Sequence, residues 1–454
     1  MKKVFTIIIF LILANLLNAQ VTKTVNVPTA GTLKSLLTAT EKTTVTKIIV
    51  SGTIDASDFL LLRDAMSSLT YIDLSGTTIA SYSGTKGTSS TTTSYSENSI
   101  PIDAFRENSS GSSILQTIIV PSTITQISNS AFSGCNSLTS FSIPEGVTDI
   151  GSSAFSDCIK LTSITIPSSV LTLGDWAFAG CSKISSLNIP TSIKTIGANA
   201  FNSTGGNFTV DAANQYFSVT DSVLFDKNQS ILIHCSLNKS GSYTIPGTVL
   251  SIGESAFSDC TLLNNIVLPL GLTTINYGAF SGCKGLISFK FPASITSIGD
   301  MAFNNCTGLT SIYVNNTTPI KLSTNSFVFF SVNTSVCVLY VPFGTLANYE
   351  AASQWRDFFD IEENVFTGIE NTQYGQSESE KYTIKLYPNP VRDNLEIEFD
   401  GGSGFELLNM MGKSIYSGNL THNNSIRTTG LSSGIYLIRF NTGNSFIYKK
   451  IIKE

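Results

Sequence analysis

Charge and histidine are scarce in this 454-residue chain: Lys, Arg, Asp and Glu make up 13% of it, and the histidines number two, His234 and His422. A net charge of −5 without any run of Lys or Arg argues against nucleic acid as a partner, because such proteins carry a clustered basic surface. Neither histidine sits in a motif that could serve a Ser-His-Asp or Cys-His arrangement. H-E-x-x-H, EF-hand and P-loop patterns are missing, and so is any C-x-x-C pair that would give zinc two ligands from one loop. No catalytic residue, metal ligand or cofactor is therefore expected. Long apolar runs are missing too. The longest, Val4 to Leu17, falls short of the roughly 20 residues a membrane-spanning helix needs. Preceded by Lys2-Lys3 and followed by the small Ala19, it reads as a secretory signal peptide over residues 1–19.

What is present in excess is self-similarity. The phrase AFSGCNSLTSFSIPEGVTDIG begins at Ala131 and is rewritten from Ala154 and Ala177, then from Ala256, Ala279 and Ala302, each time 23 residues on within a run. Looser copies start at Ala104 and Ala200. A fixed period in this range marks a solenoid. In the copy from Ala154, Leu161, Ile164 and Ile166 alternate as a short strand with one buried face. Pro167 ends it, since proline cannot donate to a ladder. Val170 and Leu173 belong to a bend, and Gly174 is expected to supply a backbone conformation that a side chain would obstruct. One such coil buries too little to fold alone, so stacking must supply its interior and caps must close the ends.

The pattern A-F-x-x-C-x-x-L-x-x-I-x-I-P-x-x-V-x-x-I-G resembles the BspA-type leucine-rich repeat of bacterial surface proteins, over roughly residues 100 to 360. The resemblance implies a mainly β fold: a curved solenoid whose strands line a concave sheet. It also implies adhesin-like function, since better-known members bind host matrix proteins or other bacteria. Fold alone does not establish that role.

Taken in order, residues 20–99 read as an N-terminal cap with atypical repeats, holding a helix at Asp58 to Met66 and a polar stretch, Ser81 to Asn98, expected to be a mobile surface loop. The solenoid occupies residues 100–361, interrupted between Phe201 and Phe257 by an expanded repeat whose turns fall at Asp226-Lys227-Asn228 and Lys239-Ser240-Gly241. Its last strand and a short helix carrying Tyr349 and Trp355 are expected to seal the core. A polar linker spans 362–381. Residues 382–454 alternate as a small β-sandwich. Within it, Tyr387, Pro388, Asn389 and Pro390, then Met411-Gly412-Lys413, then Gly434 and Tyr436 resemble the sorting domain of the type IX secretion system of Bacteroidetes, with Asn409 where the family's D-x-x-G-K has Asp. That resemblance implies partnership with the type IX machinery and export through the periplasm to the outer-membrane surface or the extracellular space.

Cys135, Cys158, Cys181, Cys260, Cys283 and Cys306 share one slot of the repeat and are expected to stack at about the 4.8 Å strand spacing, with parallel side-chain vectors that suit a disulfide poorly. Buried free thiols filling an apolar niche follow. The acidic residues sit singly in turns (Asp149, Asp157, Asp175, Asp259, Asp300), where local hydrogen bonding accounts for them. Both histidines are expected at the polar surface. For binding, the outward residue of each strand matters: Ile119, Ser142, Thr165, Asn188, Val267, Lys290 and Tyr313. Interface energy concentrates in aromatic and long cationic side chains, which selects Lys290 and Tyr313 as candidate contacts for a host or bacterial surface protein or glycan. A cell-envelope spacer without a ligand, and a polysaccharide hydrolase using unrecognised carboxylates, are the alternatives.

Overall fold

The computed structural model describes residues 20–106, 114–323, 326–364, 384–399, 404–409, 414–419, 424–441 and 446–454. The expected signal peptide, most of the linker, Gly412, Lys413 and His422 lie outside these. The chain winds into a solenoid of about 14 turns. Each regular coil contributes two parallel strands. The longer one, such as Ser163–Thr165 or Ser288–Phe291, comes from the L-x-x-I-x-I segment. A two-residue strand, such as Thr172–Leu173, comes just before the glycine. Long strands pair with long and short with short, in register at the repeat period: Ser163 faces Ser140, and Thr172 faces Asp149. Among the described residues no helix is long and apolar enough to cross a membrane.

Between the two strand stacks lie the columns that the repeat encodes. Phe105, Phe132, Phe155, Phe178 and Phe201 stack with ring centroids 5.2–6.1 Å apart, and Phe257, Phe280, Phe303 and Phe329 form a second run at 5.1–5.7 Å. The turn beside them needs left-handed backbone twice per coil. One such site precedes the alanine (Ser130, Ser153, Asn199, Ser255), and the other falls two residues after the phenylalanine, where Gly134, Asp157, Gly180, Asp259, Gly282 and Asn305 alternate. At the second site the chain uses glycine, Asp and Asn, the residues that tolerate this region best, whereas the first site holds serine in several coils. Gly174 has another reason to be glycine. Its φ is ordinary, but a Cβ there would stand 2.4 Å from the Ser152 nitrogen of the preceding coil. The expectation of special dihedrals is corrected to one of room between coils.

All eight cysteines are free and buried. Their slot is more than an apolar niche. Cys158, Cys181, Cys283 and Cys306 donate from Sγ to the carbonyl of the phenylalanine one coil back, at 3.0–3.3 Å. Where the slot holds Thr204 instead, its Oγ1 donates to Phe178 O at 2.8 Å. The position selects a small donor that satisfies a buried carbonyl, whose orphaning would be costly.

The N-terminal segment is built of coils too. Strands Thr22–Val27, Lys47–Ile54 and Tyr71–Ile79 continue the long-strand sheet in parallel register into Thr117–Ile119. The helix between the second and third runs Ala56–Asp64, two residues earlier than expected at each end, because Asp55 and Asp58 form a capping box at its start. Ser81 to Asn98 is not a free loop. Tyr82–Ser83 pairs with Ser94–Tyr95, the Tyr95 ring is buried, and the Arg63 guanidinium donates to Thr88 O at 2.8 Å and to Asp103 O at 2.6 Å. The hydroxyls and backbone of this stretch serve one another, which lets a polar sequence pack.

At the other end Val338–Pro342 adds to the sheet, followed by the helix Leu346–Ala351 with buried Tyr349. Trp355 sits on a separate 3-10 turn, fully buried, its Nε1 donating to Ile320 O at 2.9 Å. A further strand, Ile361–Asn364, pairs with Leu339–Pro342, so the solenoid takes in residues assigned above to the linker. Beyond it, Ile384–Tyr387, Asn394–Phe399 and Asn424–Arg427 form one antiparallel sheet, and Ser414–Gly418, Gly404–Leu408, Gly434–Asn441 and Phe446–Lys453 another, around a core of Leu395, Ile397, Leu407, Ile438 and Ile451.

Candidate functional site

On its regular coils the long-strand sheet presents one outward residue between two buried ones. Backbone pairing aligns these residues into a column: Ile49, Asp73 and Ile119 in the cap, Ser142 beside Thr165, Asn188 beside Thr209, Thr244 beside Val267, then Lys290, Tyr313, Tyr340 and Glu362. Through its first half the column is small and polar once past Ile119. Near its end it changes character. The Tyr313 and Tyr340 rings stack with centroids 4.6 Å apart and planes 12° from parallel, and the Lys290 ammonium lies 5.2 Å from the Tyr313 ring centroid. Because the strands are ordered Lys290, Tyr313, Tyr340, Glu362, the cation covers the ring face away from Tyr340. Glu362 is exposed beside Tyr340. Burial first, then Glu362, Tyr313 and Asp360, push the Tyr340 hydroxyl above its ordinary pKa.

The structure thus puts Lys290 and Tyr313 side by side and adds two residues that the sequence does not reveal by period. Tyr340 lies 27 positions beyond Tyr313 instead of 23, because an irregular coil intervenes. The available signal was Leu339-Tyr340-Val341-Pro342, a copy of the I-x-I-P strand ending. The turn carboxylates accept hydrogen bonds from neighbouring hydroxyls and backbone amides. Asp175 Oδ1 accepts from Ala198 N at 2.8 Å, Asp259 Oδ2 from Ser203 Oγ at 2.7 Å, and Asp157 Oδ2 from Ser156 Oγ at 3.1 Å. Asp149 accepts from Thr148 Oγ1 and Asp300 from the Met301 nitrogen. His234 does not lie at the surface. It is 3% exposed, its ring 5.0 Å from that of Phe208, and burial drives its pKa down to about 3.

In the C-terminal sheets, the segment Tyr387-Pro388-Asn389-Pro390 is stapled to the last strand: Asn389 Oδ1 accepts from Ile452 N at 2.8 Å, and Val391 N donates to Ile452 O at 2.7 Å. Gly434 pairs with Lys453 on that same strand. Tyr436 is buried, its hydroxyl donating to Ser432 O at 2.9 Å. The Tyr387 hydroxyl donates to Glu398, which raises the phenol pKa and, together with Lys385, lowers the Glu398 one.

The family model of the BspA type leucine rich repeat region, in six copies, matches residues 98–232 and 228–338, more than half of the chain. That of the secretion system C-terminal sorting domain matches residues 385–454. Among solved structures the chain is similar to a leucine-rich repeat protein from Eubacterium ventriosum, at 22% identity, 66% of this chain, 66% of that chain and a TM-score of 0.42. Similarity extends to the pneumococcal vaccine antigen PcpA (20% identity, 76% and 90% covered, TM-score 0.48) and to a leucine rich cell surface protein from Faecalibacterium prausnitzii (22%, 76% and 84%, 0.43). No curated protein matches the chain.

Proposed function

This chain belongs to the BspA-type leucine-rich repeat family and carries a secretion-system sorting domain, and from that premise we propose that it is a non-enzymatic, adhesin-like binding protein that meets a surface protein or glycan through the C-terminal end of its long-strand face. The sorting domain assigns it to type IX secretion, towards the cell surface or the extracellular space. Residues 1–19 would act as the signal for the first membrane.

One observation carries the proposal: the Lys290, Tyr313, Tyr340 and Glu362 ladder gathers long and aromatic side chains on an open sheet whose preceding coils, from Ser142 to Thr244, offer only hydroxyls and amides. Tyrosine and cationic side chains dominate interface energy, whereas scattered serines and threonines contribute little. Tyr313 and Tyr340 already immobilise each other, so a partner that covers them sacrifices little side-chain entropy.

Full-length protein should be tested against immobilised extracellular-matrix proteins and a glycan array. Replacing Lys290, Tyr313 and Tyr340 together by Ser should weaken whatever binding appears by about tenfold or more, the effect of losing one or two such anchors. Unchanged affinity would move the site off this face. Binding to neither panel would favour the spacer.

A further inference from the structure

His234 occupies a place that the regular coils give to alanine. In the regular coils the phenylalanine N–H donates to the alanine carbonyl of the next coil, as Phe155 does to Ala177 and Phe257 to Ala279, and Phe303 donates in the same way to Val328 O in the irregular coil that follows. In the expanded repeat the donor to Ala256 O is the Cys235 nitrogen, at 2.7 Å. Cys235 therefore stands in the phenylalanine slot and His234 in the alanine slot, between the coils of Ala200 and Ala256. Those alanines, like the others in the column, are 0–2% exposed.

Around this imidazole the solenoid is divided. Strands Phe217–Thr220, Val223–Asp226 and Ile231–Cys235 form a meander that acts as a partition. Val223, Phe225, Leu232 and Cys235 join the core that continues to the C-terminal cap, while Leu224 and Ile233 pack on the core that reaches back to the N-terminal cap. His234 faces the latter, its ring among Phe201 and Phe208. The pinched coil is so short at the turn edge that its neighbours bond over it: Asn199 Nδ2 donates to Glu254 at 3.0 Å and Ser203 Oγ to Asp259 at 2.7 Å. Beside the Asn199–Glu254 bond lies a small cavity of about 10 Å³, lined by Asn199, Phe201, His234, Glu254 and Ser255 among others. His234 Nε2 and Asn199 Oδ1 have no partner there.

We propose that this seam is an acid-sensitive joint: protonation of His234 at Nε2 opens the solenoid between the Ala200–Phe201 coil and the partition, while the stacks on either side keep their own cores. A buried imidazolium needs a second acceptor and a counter-charge. The groups facing it are the Phe201 and Phe208 rings, the amide of Asn199, the backbone of Thr204, Ser255 and the carboxylate of Glu254, which already accepts from Asn199 Nδ2. Burial is what depresses the imidazole pKa, to about 3 from the 6.5 of the open chain, with the Thr204 backbone hydrogen bond pulling weakly the other way. The open form thus binds the extra proton between pH 6.5 and about 3, and opening grows as the pH falls. One proton linked in this way raises the open population about 25-fold between pH 7 and pH 5.

Hydrogen–deuterium exchange of the full chain, corrected for intrinsic rates, tests this directly. Protection of the Tyr216 and Phe217 amides, which the start of the partition donates to Asn214 Oδ1 on the preceding stack, should fall about 25-fold from pH 7 to pH 5 relative to Ser311–Val314, which lies in the other stack. His234→Leu should abolish the difference. Should that variant misfold, His234→Gln keeps a polar side chain that gains no proton and should do the same. An equal loss of protection in the parent and both variants, or in both stacks at once, overturns the proposal.

Discussion

The two stacks flanking the partition are written in the same repeat, yet only their interiors agree. Phe132, Phe155 and Phe178 on one side and Phe257, Phe280 and Phe303 on the other stack at near-equal spacings, and the cysteine slot donates to the same carbonyl in both. Outside, the first stack shows Ser142, Thr165, Asn188 and Thr209, while the second opens with Thr244 and Val267 and goes on to Lys290, Tyr313 and Tyr340. An inward side chain must fit the coil above and the coil below, whereas an outward one answers only to solvent or a partner. Divergence is therefore confined to the face that can bind.

Whether the stacks are also separate thermodynamically can be broken open with their two tryptophans, Trp176 in the first and Trp355 in the second. Phe155→Ala and Phe280→Ala each remove a fully buried ring from a column and should cost about 3–5 kcal/mol. In urea, the first should shift the Trp176 fluorescence transition and leave Trp355 nearly in place, and the second the reverse. Coincident shifts would make the solenoid one cooperative unit and end the distinction.

Smaller changes sharpen the likeness of the interiors. Gly174→Ala drives a Cβ against the backbone of Ser152 and should lower stability by about 1–3 kcal/mol by calorimetry, while Gly247→Ala, with open space around it, should change little. Thr204→Val strands the Phe178 carbonyl and should also cost about 1–3 kcal/mol. Thr204→Cys, which imports the donor used by the neighbouring coils, should recover most of it. If Val and Cys behave alike in that slot, the donor role assigned to it is wrong.

The smallest effect separates the two caps. Glu41 in the N-terminal cap is held down to a pKa of about 2, first by the Lys23 ammonium 2.5 Å away and then by Thr38. Its folded-state pKa lies below the ordinary 4.5, so its contribution is complete above that value and fades as the pH drops towards 2. The melting-temperature gap between the parent and Glu41→Gln should close over that window. The C-terminal cap, sealed by Tyr349 and Trp355, holds the start of its helix through Glu363, whose Oε1 accepts from the Gly344 and Leu346 nitrogens.

Lys290 stood out in the sequence because strict alternation around Phe289 and Phe291 marks it as outward, and Tyr313 by the same rule. Tyr340 and Glu362 did not, since the spacing that leads to them is irregular. The Ser81 to Asn98 segment was misjudged for a related reason. Composition reports how polar a stretch is, but not whether Tyr95 and Arg63 stand where its hydroxyls and carbonyls can use them.

The coil was written in the residues alone: its period, its buried columns and its tight turns are each a demand between nearest neighbours and are therefore repeated wherever a neighbour exists. Tertiary structure alone decided what happens once the period fails. It turned the expanded repeat into a partition with two apolar faces, set His234 where alanine belongs, and brought Tyr340 and Glu362 alongside Tyr313. Those placements follow from which strand completes an open hydrogen-bond ladder, and the ladder exists only when the chain has folded.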